Sequence, residues 1–103
     1  MNDVTPESHP TIYKALDMIS HDMGHGAGWT SYPIPDSWWK HIAAIEAALL
    51  TLSPDDFETF CIGDDKAMLE IANRSTHLYL SSMMFDAFAS EVDYWPHPYQ
   101  VAG

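Results

Sequence analysis

Apolar residues recur every three or four positions along most of this chain, and a proline or glycine marks where each run begins or ends. Ile12, Leu16, Ile19 and Met23 form one stripe, opened by Pro10 in the first turn, where a missing N–H leaves nothing unsatisfied, and closed by Gly24. Trp38, Ile42, Ile45, Leu49 and Leu52 form a second, starting at Asp36 or Ser37. Ser53 followed by Pro54 starts a third, shorter helix that turns Phe57, Phe60 and Cys61 inward and stops at Gly63. Asp64 or Asp65 then caps a fourth, with Met68, Ala72, Thr76, Tyr79 and Met83 along its stripe. No strand-like alternation competes with these runs, and no repeat of fixed period is present. The expected fold is all-α, a compact four-helix bundle-like single domain with helices over about 10–24, 36–52, 54–62 and 65–90.

The segments between and beyond the helices carry different signals. Residues 1–9 read as a lead-in, and 24–35 as a loop holding Trp29 and Tyr32. Pro96 and Pro98 alternate with Trp95, His97 and Tyr99, so residues 91–103 should be an extended aromatic and proline-rich C-terminal segment, folded back as a clasp over the fourth helix. The second helix has few charges and should be central, buried on more than one side. On the fourth, Lys66 to Glu70 and Glu70 to Arg74 have the spacing of ion pairs. Leu78, Phe85 and Phe88 lie off its main stripe and make a second apolar face, which the C-terminal segment, a partner or a second copy would cover. A homodimer through those three residues is one expectation.

Fifteen acidic residues against four Lys plus Arg leave a formal charge of −11. That field repels nucleic acid and anionic membranes, so neither is an expected direct partner, and it attracts basic surfaces. The 47% of hydrophobic residues argues for a folded chain in spite of the charge. A single cysteine, Cys61, permits no intramolecular disulfide and no multi-cysteine zinc site, which fits a reducing compartment. With no basic-then-apolar leader and no apolar run of membrane-spanning length, a cytoplasmic location is expected.

The string Ser20-His21-Asp22-Met23-Gly24-His25-Gly26 resembles the His-Asp signature of the HD-domain phosphohydrolases. The resemblance covers about seven residues and implies a metal held by His21 and Asp22 that helps generate an attacking hydroxide. His9 upstream and Asp64, Asp65 or Asp86 downstream would have to complete the set. Asp17, His21 and His25 also have the i, i+4, i+8 spacing with which one helix face can hold zinc or nickel. His21, however, projects about 180° away from the apolar stripe of its own helix, hence toward solvent. Cys61 sits among inward aromatics as a small hydrophobe, and no nucleophile elbow or phosphate loop surrounds any serine. No catalytic residue and no cofactor are therefore assigned, and a minimal metal-dependent phosphohydrolase is the alternative reading.

The leading candidate is an acidic run. Asp55, Asp56, Glu58, Asp64 and Asp65 place five carboxylates in eleven residues with no cation among them. Helix capping and the helix dipole explain some of these, and the surplus would steer a basic partner, with Tyr94, Trp95 and Tyr99 as aromatic anchors. Phe85 and Phe88 are further anchor candidates. In size, charge and helicity this is similar to acidic inhibitors that imitate nucleic acid, the phage anti-defence and toxin-immunity proteins among them. The expected partner is a basic protein surface, notably on a nucleic-acid-binding protein.

Overall fold

The computed structural model describes residues 5–24, Ile34 and residues 36–92, with the side chain of Asp36 excepted. Within them the chain forms α1 (Pro10–Asp22), α2 (Asp36–Trp39), α3 (Ile42–Leu50), α4 (Pro54–Ile62), α5 (Asp65–Ala72) and α6 (Thr76–Val92). Among the described residues there is no strand, and no helix is long and apolar enough to cross a membrane. The fold is all-α, with six helical segments among the described residues where four helices were expected.

α1 follows its sequence pattern. Ile12, Leu16 and Ile19 are buried, with Tyr13, Ala15 and Ser20 beside them. The helix closes where Gly24 takes φ 85°, a left-handed conformation that costs a residue with a Cβ far more than glycine. Ahead of α1, residues 5–9 are no loose lead-in. The Thr5 N–H donates to Ser8 Oγ at 2.9 Å, the Ser8 N–H donates to Thr5 Oγ1 at 3.1 Å, and the His9 N–H donates to the Thr5 carbonyl at 2.9 Å.

Both missing helix breaks have local causes. The expected second helix divides at Lys40 and His41, where the His41 N–H donates to the Trp38 carbonyl before α3 begins. The expected fourth divides at 73–75, because the Ser75 hydroxyl accepts the Leu78 N–H at 3.1 Å and so caps a new helix. That break resets the helical phase. α6 consequently buries Leu78, Ser81, Met84, Phe85, Phe88 and Val92, while Tyr79 and Met83 are left about half exposed. The face made by Leu78, Phe85 and Phe88 is the core face, so it is closed to a second copy and supplies no anchors.

The centre of the molecule also differs from expectation. α6 packs against α1, α3, α4 and α5, and α1 packs against α3, α4 and α6. α3 buries only the Ile42, Ile45 and Leu49 side, leaving Ala43, Ala47 and Leu50 exposed. The core joins those three residues to Ile12, Leu16, Phe57, Phe60 and Phe88. Phe60 meets Phe85 edge-on with ring centroids 5.9 Å apart, which locks α4 to α6.

One inter-helix contact came from a residue with no sequence signal. The α1 N-terminus has His9 as N-cap and no cap from its own side chains. Glu46 on α3 takes that role, Oε2 accepting the Thr11 N–H and Oε1 the Ile12 N–H, both at 3.0 Å. A carboxylate there satisfies two orphan donors and complements the positive end of the helix.

Candidate partner-binding surface

The acidic run occupies α4, α5 and the turn between them, and its geometry follows from two caps. Ser53 accepts the Asp56 N–H at 3.1 Å, which starts α4 with Asp55 and Asp56 in its first turn. Asp64 accepts the Ala67 N–H at 2.8 Å, which starts α5 with Asp65 as its first residue. Gly63 fits where the chain leaves the last turn of α4, because a Cβ at that position would lie 2.5 Å from the Thr59 carbonyl oxygen. Buried Phe57, Phe60 and Cys61 fix which side of α4 faces in, so Asp55 and Glu58 face out.

The five carboxylates then separate by what they touch. Asp64 is engaged as the α5 cap. Asp56 accepts a hydrogen bond from Arg74 Nη1 at 2.8 Å, an ion pair whose side chains are 38% and 51% exposed, so solvent screens much of it. Arg74 therefore reaches across to α4 instead of pairing with Glu70, and no Lys66 to Glu70 ion pair forms among the described residues. Asp55, Glu58 and Asp65 are exposed and have no ion pair among the described residues. Of the four cations in the chain, Lys14 lies over the Phe57 ring at 5.4 Å and Arg74 holds Asp56, while Lys40 and Lys66 are exposed.

The exposed apolar groups are also now defined. Tyr79 and Met83 lie one turn apart on the outer side of α6, and Leu69 is exposed on α5. The sequence stripe had placed Tyr79 and Met83 inward. The aromatic residues expected to anchor a partner, Tyr94, Trp95 and Tyr99, lie outside the described residues; of the extended segment expected over 91–103, Glu91 and Val92 are instead the last residues of α6, and the rest, with its expected clasp, lies outside the described residues.

The His-Asp string has a different setting. His21 and Asp22 are exposed at the end of α1, beside an open groove of about 540 Å³ lined by Lys14, Asp17, Met18 and Ile62. His21 Nδ1 lies 2.9 Å from the Asp17 carbonyl oxygen and 3.2 Å from Asp17 Oδ1, an exposed local pair. Among the described residues no three His, Cys, Asp or Glu side chains converge to hold a metal; His25 lies outside them. Asp64 lies on the α4–α5 turn, already engaged as a cap, and Asp65 is the first residue of α5. The thiol of Cys61 is pushed up to about 12 by burial, against a smaller opposing pull from Lys14, so at neutral pH it is protonated and inert. Burial likewise raises the Tyr13 phenol.

Comparison of the chain with protein-family models, with curated proteins and with solved structures finds no match.

Proposed function

We propose that this chain is a binding protein that engages a basic surface of a partner protein through the outer side of α4 and the start of α5. The observation that carries the reading is the exposure of Asp55, Glu58 and Asp65 without an ion pair among the described residues, within a chain of net charge −11. Such carboxylates gain little for the fold and keep their full field for an incoming cation. Tyr79 and Met83 on α6 and Leu69 on α5 are exposed apolar groups available to add affinity, since charge contributes more to rate and selectivity than to tightness. A nucleic-acid-binding protein is the proposed partner class, because its Lys- and Arg-lined groove is built for regularly spaced negative charge. Inhibition of a defence protein or a toxin in the cytoplasm is the biological form of this proposal.

The test is affinity capture from the native host at low salt, followed by elution with a salt gradient. The expected result is a basic protein that elutes at moderate salt and is not retained by the Asp55→Asn, Glu58→Gln, Asp65→Asn triple variant. Retention by that variant equal to the wild type would reject the surface.

A further inference from the structure

The α2–α3 junction and the first turn of α6 meet at two histidines. The rings of His41 and His77 have centroids 5.9 Å apart and are tilted by 55°. Both residues are half-buried, and no hydrogen bond among the described residues engages either imidazole. Among those residues Trp39 Nε1 is the one buried side-chain nitrogen or oxygen without a partner, so the imidazole nitrogens keep access to solvent. Their backbones are nevertheless held. The His41 N–H donates to the Trp38 carbonyl at 2.9 Å, the His41 carbonyl accepts the Ile45 N–H at 2.8 Å, and the His77 carbonyl accepts the Ser81 hydroxyl at 2.9 Å.

Two imidazoles on separate, fixed elements are ligands for borderline divalent metals. The separation can be checked against coordination geometry. With a metal–nitrogen bond of about 2.0–2.1 Å, and a ring nitrogen about 1.1 Å from its centroid, a shared metal sits roughly 3.2 Å from each centroid. The centroids are then roughly 5 Å apart for a tetrahedral nitrogen–metal–nitrogen angle and a little over 6 Å for a linear one. The observed 5.9 Å falls inside that interval. The rings are tilted by 55°, far from a parallel stack.

We propose that His41 and His77 form a two-imidazole site for a divalent transition metal of the zinc, nickel and copper class, with water completing the coordination sphere. Metal bound there joins the start of α3 to the start of α6, and because the unfolded chain does not hold the two rings together, binding stabilises the fold. The site is separate from the His21 and Asp22 string and independent of the acidic surface.

Titration of the metal-free chain with Zn²⁺ alone, by calorimetry and by thermal melting, tests it. The expected result is one saturable equivalent and a rise in Tm of about several degrees at a hundredfold excess over Kd. Both effects should disappear in His41→Gln and in His77→Gln and persist in His21→Gln. Should either variant fold poorly, substoichiometric Cu²⁺ added to the wild type must broaden the imidazole proton resonances of His41 and His77 before those of His21. Absence of a saturable equivalent in the wild type, its persistence in His41→Gln, its loss in His21→Gln, or earlier broadening at His21 would each overturn the site.

Discussion

Glu46 and the trio Asp55, Glu58 and Asp65 are carboxylates in opposite situations. Glu46 is half-buried between α1 and α3, and each of its oxygens accepts a backbone N–H. The trio stands on the outer side of α4 and at the start of α5 with no ion pair among the described residues. In the sequence these are interchangeable acids contributing one charge apiece. In the fold, Glu46 holds two helices together, whereas the trio joins no two elements: Asp55 and Asp65 complement the dipoles of their own helices, and all three add repulsion. Net charge therefore overstates what is free to act on a partner, and the free part is found by asking which carboxylates already accept a hydrogen bond.

Substitutions can break that contrast in order of expected effect. Glu46→Ala leaves two donors at the α1 N-terminus without their acceptor and should cost about 2–3 kcal/mol, read from denaturant melts; a loss under about 0.5 kcal/mol would show that water replaces the carboxylate. Asp64→Ala removes one cap bond and should cost about 1 kcal/mol, with Asp64→Ser close to neutral. Asp56→Ala should cost no more than about 0.5 kcal/mol, because its pair with Arg74 is exposed and screened, and that cost should shrink further as salt is raised. Neutralising Asp55, Glu58 and Asp65 together should change stability by less than about 0.5 kcal/mol, because relief of repulsion offsets the helix-dipole stabilisation lost at Asp55 and Asp65. A large loss in that last variant would mean the trio is structural after all.

Much of the helical content was legible because the signals were local. Pro10, the Ser53 and Pro54 pair, and Gly63 mark α1 and α4 in the chain itself, and Phe57, Phe60 and Cys61 point inward as their spacing requires. The break before α6 was hidden by chance. Met68, Ala72, Thr76, Tyr79 and Met83 continue a plausible stripe straight through Asn73 and Ser75, although Ser75 is a capping residue in plain view. Once the break resets the phase, Phe85 and Phe88 turn inward and Tyr79 and Met83 outward, which reverses their expected roles. Glu46 and the meeting of His41 with His77 depend on contacts between residues more than thirty positions apart, and periodicity carries no information about those. Of the candidate surface, the location of the acids was legible, while the pairing of Asp56 with Arg74 across eighteen positions was not.

The sharpest measurement compares two triple variants with equal charge loss for their association rate with the captured partner at low ionic strength. One carries Asp55→Asn, Glu58→Gln and Asp65→Asn; the other carries Glu70→Gln, Asp86→Asn and Glu91→Gln, three acids also exposed on α5 and α6. Association should slow roughly tenfold in the first and only marginally in the second, with the difference vanishing as salt rises. Equal slowing in both would mean that the partner responds to the overall charge of the molecule, and that the α4–α5 surface has no special part in recognition.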